Sequence, residues 1–505
     1  MKLFDLIKNI DIIHSSIDLK DDINNFEICN ITRNSLDVKI NSAFICQTGT
    51  KTDGHKYIGE AVKNGAALVI LEYKPGDFDG AIKDTPYIIV RNARKTEAQL
   101  WMTWYGEPVK TGNIKVIGVT GTNGKTSVTY MIRKILEDSG YKTALFGTIK
   151  YIIDDKIEEE SKLTTSDPDE LARLFSLAKD AGVEYAVMEI SSHSLELDKV
   201  AGLDIIELGI FTNLTQDHLD FHQTMENYKK AKAKLFKMCR TGILNADDKA
   251  SGDIIEISGN SGKNYLYGIK SRNNNPDFYA DNIKYLGADG IKYDFCIGGS
   301  SFDEIKSSFK IESPTVGEFY VYNSMAAAAC GIILGIDEKI IADALSKVKI
   351  KGRMEKLDID TPYSIFIDYA HTPDALESVL KAVRGFSGTG RVICVFGCGG
   401  DRDRSKRPEM GRIAAANADF TIISSDNSRT EEPADIIRDI VAGIDIKSAY
   451  EPVIDRRKAI ELAMDKANPG DIILLAGKGH EEYIDEKGEV KYFSEREVVA
   501  EILRA

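Results

Sequence analysis

A chain of 505 residues is too long for one core, and at roughly 100 to 200 residues per domain about three domains are expected. With 43% hydrophobic and 29% charged residues it has the composition of an ordinary globular protein, which excludes a disordered or membrane-embedded chain. A formal net charge of −14 argues against nucleic acid, whose binding needs a basic surface to release counterions, so anionic ligands would be held locally by amides, a few cations and metal.

The opening stretch MKLFDLIKNIDIIHSSIDLK is broken by Asp5, Lys8 and Asp11 and makes no signal-peptide core. The longest apolar run, MAAAACGIILGI, falls short of the roughly 20 residues needed to span a bilayer, so a cytoplasmic protein without membrane insertion is expected. Seven cysteines without a C-x-x-C pair point to neither zinc nor disulfides.

Three sections differ in texture and predict an α/β protein of three domains, over residues 1–110, 111–350 and 351–505. The first mixes short strands, SAFIC and AALVILE, with a helix, YIGEAVKNG, and ends in a helical connector, TEAQLWMTWYGEP, that stops at Pro108. The second opens with the strand NIKVIGVT, a glycine turn and the helix SVTYMIRKILEDSG, whose apolar residues recur at helical spacing. Its later strands, EYAVMEIS and IELGIFTNL, alternate with helical patterns as in a parallel sheet, and a glycine-punctuated strand-like stretch over about residues 265–319 precedes an alanine-rich helix. The third repeats the alternation, with YSIFIDYAH, RVICVFGCGGD, DFTIISSDNS and DIILLAGKGHE as Rossmann-like strands and their following turns.

The turn VTGTNGKTSV is a variant phosphate loop: the common pattern wants glycine six residues before the lysine, where Val119 stands, and the glycines are Gly118, Gly121 and Gly124. Backbone N–H groups of such a turn, with the following helix N-terminus, surround phosphate oxygens. Lys125 would hold the terminal phosphates and Thr126 would ligate Mg²⁺. Glu189 ends the strand YAVME and His218 lies just past the next strand, so both are expected at the loop's edge of the sheet, where a carboxylate suits Mg²⁺.

In the third section GGDRDRSKR, SDNSR and GKGHEE follow strand ends and converge. They offer Arg402 and Arg429 as guanidinium forks for carboxylates, and Asp426, Asn427 and Glu481 for an ammonium group, a set that fits an amino acid charged at both ends.

Taken together, GVTGTNGKTSV, MEISSHSL, FTNLTQDHLDFH, KGRME, DYAHTPDAL and LLAGKGHE resemble the Mur ligase family over nearly the whole chain. The resemblance implies a uridine-nucleotide domain, then a P-loop ATPase domain, then an amino-acid-binding domain. It implies an ATP- and Mg²⁺-dependent amide ligase working on small-molecule substrates, as a monomer, through an acyl phosphate. ATP would be held by Gly121, Thr122, Asn123, Gly124, Lys125, Thr126 and Ser127, with Asn323, Arg353 and Asp368 around the adenosine and phosphates. Metal would be held by Thr126, Glu189, His218 and Lys232, the last as a carbamate; these residues and Lys125 form the implied catalytic set. By composition alone YKKAKAKLF reads instead as a lysine-rich helix with a solvated face. In the family pattern G-x-F-N-V-x-N, GEFYVYN departs by placing Tyr320 at the first asparagine, where it could stack or donate through its hydroxyl.

For the uridine-linked muramoyl substrate the resemblance implies Ser35, Thr164, Thr165, Ser191 and Lys199. Asn34 and Leu36 depart from a D-S-R motif, and Lys199 stands at an arginine position, keeping charge but losing the fork. For the incoming amino acid it implies Arg402, Asp426, Asn427, Ser428, Arg429, Gly477 and Glu481. The family's D-N-P-R motif accompanies meso-diaminopimelate; here it reads DNSR, so the arginine argues for that substrate, while Ser428 in place of proline loosens the loop. L-lysine or another diamino acid, a folylpolyglutamate synthetase-like ligase and a P-loop switch without ligase chemistry stand as alternatives.

Overall fold

The structure is a computed structural model and describes residues 1–17, 26–49, 52–73, 82, 84–259, 262–270, 276–298 and 307–504. Thr50 and Lys51 of FICQTGTKTDGH, and parts of the strand-like stretch over 265–319, lie outside them. Two compact units divide the chain, one made of Met1–Gly118 with Tyr141–Glu207, the other of Val119–Gly140 with Leu208–Ala505. Among the described residues no helix is long and apolar enough to cross a membrane.

In the first unit, alternation at period two builds a sheet that is apolar on both faces. Its five described strands run in the order Ile12–Ser15, Tyr87–Val90, Ala66–Leu71, Ser42–Ile45, Asn30–Thr32, parallel except for the first pair. Ala43, Ile45, Leu68 and Ile70 pack with Leu100 of the helix Ala93–Trp104, whereas Phe44, Cys46, Val69 and Leu71 pack with Ile58 and Ala61 of the helix Ile58–Lys63. The connector expected to stop at Pro108 ends at Trp104, and Pro108 opens a further helical turn, Pro108–Thr111, because a proline's missing N–H is no loss at the first helical position. The same unit holds Tyr185–Glu189, buried along its whole length and parallel to Thr143–Phe146, which continues antiparallel into Lys150–Ile153 and Ile157–Glu160.

In the second unit the helix Lys125–Asp138 follows the glycine turn and packs on the helices Glu318–Ile333 and Glu338–Leu345. Strands Cys239–Asn245, Lys263–Gly268 and Phe278–Tyr285 run parallel, and Ile291–Ile297 and Ser307–Ser313 complete an antiparallel meander. From residue 355 a separate sheet forms in the order Glu355–Lys356, Ser364–Asp368, Ile472–Ala476, Val392–Phe396, Phe420–Ser424, Tyr450–Val453, parallel but for its first pair. Its central strands are wholly buried, as the apolar runs in the sequence predict. The turns at the carboxyl ends of its strands carry Tyr369 to His371, Gly399 to Arg402, Asp426 to Arg429 and Gly477 to Glu481, gathered at one edge. The protein is α/β throughout, with sheets in its N-terminal, central and C-terminal parts.

Candidate active site

The glycine turn closes on its neighbours so tightly that side chains are excluded. Gly121, at φ 153°, would put a Cβ 1.8 Å from Thr212 Oγ1, and Gly124, at φ 87°, would put one 2.5 Å from Asn323 Oδ1. Asn323, buried on the helix Glu318–Ile333, therefore lies directly against the turn. Around it, the Thr122 hydroxyl meets Tyr228 Oη at 3.1 Å, Asn123 N–H donates to Asn213 Oδ1 at 2.9 Å, and Asn123 Nδ2 donates to Asp374 Oδ2 at 3.0 Å. Lys125 curls back over the turn, donating to the carbonyls of Gly121 at 3.0 Å and Thr122 at 2.8 Å, which parks its charge over the cradle. Thr126 and Ser127 are buried in the first helical turn behind it.

Arg353 reaches this helix from the KGRME loop: its Nη2 donates to Thr126 Oγ1 at 3.1 Å and its guanidinium lies 4.5 Å over the Tyr369 ring. Its Nε is buried without a hydrogen-bond partner, a donor that an anion at the turn would satisfy. Asp368, at the end of its strand, accepts from Met354 N–H at 2.7 Å and Ala370 N–H at 2.8 Å; burial raises its carboxyl to about 6 against the pull of Arg353.

Lys232 is only 1% exposed, on the buried side of the helix Met225–Met238. This corrects the solvated-face reading of YKKAKAKLF: Tyr228, Lys232, Leu235 and Phe236 fall on one stripe at spacings of four and three to four residues, and the flanking lysines take the other faces. Its Nζ stands 4.3 Å from the Tyr228 ring centroid, and no carboxylate among the described residues pairs with it. Burial drives its ammonium well below the ordinary lysine range and the charge of Lys125 adds to the effect, while Asp217 and Asp248 oppose it. His218, with left-handed backbone at φ 53°, has Nε2 3.3 Å from Asp217 Oδ2. Burial would raise the Asp217 carboxyl, but His218, His371 and Lys406 outweigh it and hold it below the ordinary value. Burial and Lys406 push His371 down to about 4, while its Nδ1 faces the Tyr369 carbonyl at 2.8 Å and Lys406 Nζ donates to its own carbonyl at 2.8 Å.

Among the described residues no three His, Cys, Asp or Glu side chains gather as a ready-made metal cage. The donors that fit Mg²⁺ are sparse and oxygen-rich, as suits an ion that keeps waters and takes substrate phosphates. Thr126 offers a hydroxyl at the turn, and Lys232 is buried where its ammonium form is disfavoured; a carbamate there would offer anionic oxygens.

In the first unit Glu189 is fixed by Thr148, whose N–H donates to Oε1 at 2.8 Å and whose hydroxyl donates to Oε2 at 3.0 Å. The Thr148 hydroxyl also meets Thr164 Oγ1 at 3.1 Å. Thr165 Oγ1 donates to the Glu189 carbonyl at 2.9 Å and lies 3.4 Å from Ser191 Oγ, and Ser191 caps the helix Ser192–Glu196 by accepting from Ser194 N–H. Glu189, Thr164, Thr165 and Ser191 thus form one hydroxyl-rich group. Lys199 pairs with Asp167 at 2.6 Å, and Asp167 also takes Arg33 at 3.2 Å. Ser35 is buried and donates to Glu60 Oε2 at 2.5 Å, while Leu36 points its side chain to solvent.

The C-terminal strand ends meet around a lysine that sequence reasoning passed over. Lys478, fully buried, lies 3.4 Å from Asp426 Oδ1, 3.2 Å from Asn427 Oδ1 and 3.6 Å from Glu481 Oε2. Asn427 Nδ2 donates to Glu481 Oε2 at 2.8 Å, and Tyr369 Oη donates to Oε1 at 3.1 Å. Burial would raise Asp426, but Lys478 and Arg456 hold it below the ordinary range; burial and the neighbouring Asp426 raise Glu481. Gly477 N–H donates to the Asp368 carbonyl at 3.0 Å, which joins this cluster to the Arg353 group. Arg429, half-buried at φ 51°, donates through Nη1 to the Gly400 carbonyl at 2.7 Å, and its backbone pairs with Asp485 and Lys487 of the following hairpin. Ser428 is buried with its hydroxyl unpartnered, and Arg402 is exposed on its own loop. Lys478 stood in the sequence as a charge inside a glycine turn at a strand end, as Asp217 stood beside His218; position was the signal in both.

The Mur ligase middle domain matches residues 119–331, and the Mur ligase, glutamate ligase domain, matches residues 352–479. A UDP-N-acetylmuramoyl-L-alanyl-D-glutamate--2,6-diaminopimelate ligase of Syntrophomonas wolfei is 42% identical over 512 aligned residues, covering 100% of this chain and 99% of that protein. An equally named ligase of Clostridioides difficile is 43% identical over 508 residues, with 100% and 99% covered. The solved structure of a ligase of the same name shares 30% identity with a TM-score of 0.67, over 97% of both chains.

Proposed function

The chain belongs to the Mur ligase family, and from that premise we propose that it joins meso-2,6-diaminopimelate to UDP-N-acetylmuramoyl-L-alanyl-D-glutamate at the expense of ATP, in peptidoglycan precursor synthesis. The observation that carries the reading is full-length similarity to ligases of that name at 42 to 43% identity. Arg429, whose Nη1 also lies 3.4 Å from the Asn427 carbonyl, supports the amino acid, since a guanidinium fork suits the distal carboxylate that lysine lacks. The domains that fit are residues 1–110 for the uridine nucleotide, 111–350 for ATP and 351–505 for the amino acid, in a monomeric cytoplasmic enzyme.

The reaction moves the terminal phosphoryl group of ATP to the side-chain carboxylate of the D-glutamyl residue, releasing ADP. The amine of the incoming amino acid then attacks the acyl carbon, the C–O bond to phosphate breaks, and the amine's proton leaves as the amide forms. Such transfer needs charge neutralisation and positioning more than a covalent nucleophile. Lys125 would move from the turn's carbonyls to the terminal phosphates, and Arg353, beside Thr126, would offer them its Nε, which has no hydrogen-bond partner among the described residues. Thr126, His218, Lys232 as its carbamate and Glu189 are the residues that would hold Mg²⁺, which would supply positive charge for the phosphates. Thr164, Thr165, Ser191, Lys199 and Ser35 hold the muramoyl substrate. Asp426, Asn427, Ser428, Gly477 and Glu481 hold the ammonium end of the amino acid, and Arg402 and Arg429 hold its carboxylates.

The test is phosphate release with ATP, UDP-N-acetylmuramoyl-L-alanyl-D-glutamate and a panel of diamino acids, with product masses. A diaminopimelate adduct formed at the highest kcat/KM is the expected result. Preference for lysine overturns the amino-acid assignment, and ATP turnover indifferent to any acceptor overturns the ligase.

A further inference from the structure

Tyr320, in the first turn of the helix Glu318–Ile333, is 1% exposed, so its ring has no open face on which a nucleotide base could stack. Its hydroxyl donates to the backbone carbonyl of Arg353 at 2.8 Å and also hydrogen-bonds the side chain of Ser127, one residue beyond Thr126. The side chain of the same Arg353 donates to Thr126 Oγ1 at 3.1 Å and lies over Tyr369. One phenol therefore spans the helix that carries Asn323, the helix behind the phosphate turn, and the loop that presents Arg353. An asparagine here would be shorter by most of a ring and could not make the same span.

We propose that Tyr320 is a positioning residue for phosphoryl transfer: by fixing the Arg353 carbonyl and Ser127 together, it aims the Arg353 guanidinium at the terminal phosphate. The inference rests on the ligase reading, and it gives a task to the position where this chain departs from its family's asparagine. Arg353 sits in a loop whose Gly352 presses on the turn Gly479–His480, so the loop is braced from the amino-acid side by packing and from the ATP side by this hydrogen bond. Loss of the hydroxyl leaves the Arg353 carbonyl without that donor and loosens the loop on the ATP side, where the Arg353 bond to Thr126 remains.

Tyr320→Phe keeps the ring and removes only the hydrogen bonds. The full chain with this change should lose about tenfold in kcat while KM for ATP moves less than about twofold, and its urea unfolding midpoint should stay near wild type. In an Arg353→Ala background the same change should cost nothing further, because the group it aims is gone. Tyr320→Asn should behave like the phenylalanine variant. Unchanged kcat in Tyr320→Phe overturns the proposal, as does an equal loss in both backgrounds, which marks a merely structural tyrosine. A rise in KM for ATP with kcat unchanged also overturns it, by assigning the hydroxyl to the nucleotide. All are read as ATP turnover, so they decide the role of Tyr320 even if the amide product proves not to be the one proposed, a failure that wild-type product masses report separately.

Discussion

Lys232 and Lys478 are two lysines buried to the same degree, and their surroundings are opposite. Lys478 sits among Asp426, Asn427 and Glu481 at 3.2 to 3.6 Å, at the edge of the C-terminal sheet. Lys232 faces a tyrosine ring and a like charge, Lys125, on a helix of the central part. The difference separates two uses of one side chain. A lysine ringed by carboxylates is a fixed counter-charge whose removal strands its partners. A lysine buried without one is disfavoured as an ammonium and favoured as a neutral amine, the form that combines with carbon dioxide to give a carbamate.

The largest expected effect tests the paired lysine. Lys478→Met should destabilise the folded protein by about 3 to 5 kcal/mol, because Asp426 and Glu481 then face each other with only the longer-range charge of Arg456 to offset them. The effect should depend on pH. In wild type the lowered Asp426 contributes stability that is lost as pH falls through its folded value, while the raised Glu481 costs stability as pH rises; removing Lys478 should shift both carboxyls upward, so the variant's deficit should grow as pH rises above their unfolded values of about 4. Urea midpoints of variant and wild type should converge toward pH 5 and diverge toward pH 8, and a constant gap would break the comparison.

Next comes the unpaired lysine. Lys232→Ala should cut turnover by about 10²-fold or more through loss of a metal-holding oxygen, with a urea midpoint that falls less than in Lys478→Met, since no carboxylate among the described residues lies within ion-pair distance and only the longer-range pull of Asp217 and Asp248 is lost. Acetate or propionate should restore part of the activity, and Lys230→Ala and Lys234→Ala should remain active. Equal tolerance at all three positions would show that burial of Lys232 has no chemical purpose.

The smallest effect concerns a cation at the rim of the same C-terminal cluster. Arg429→Ala should lower kcat/KM for diaminopimelate by at least about tenfold, the low end of what truncating one partner of a buried charge pair costs. Slow use of lysine should be spared. Equal loss for both amino acids would mean that Arg429 shapes its loop, through the Gly400 carbonyl and the hairpin, rather than reading the substrate.

Much of this was legible in residue order. The glycine turn, the strand-turn-helix around it and the four strand-end turns of the C-terminal sheet follow from apolar periodicity and from where glycine and charge interrupt it. Lys232 was hidden by its composition, since four lysines in nine residues suggest a wet helix; only the phase of Tyr228, Lys232 and Leu235 shows which one turns inward. Lys478 was hidden, and the partners of Tyr320 were, for a different reason. Each is defined by partners far away in sequence, Asp426 for one and Arg353 for the other, and no local pattern encodes that distance. Pro108 misled because a proline bounds a helix from either side.

The closeness of KGRM and GKGH has a consequence for how such a protein can change over generations. A Cβ at Gly352 would sit 2.2 Å from the backbone nitrogen of His480, and one at Gly479 would sit 2.8 Å from the carbonyl of Gly352, both at left-handed backbone angles of 68° and 55°. Each glycine is thus the other's barrier. A side chain at either position requires the facing backbone to move. Two motifs that read as separate words in the sequence are inherited as one, because a side chain on either glycine meets the other's backbone and a second substitution would leave those atoms in place.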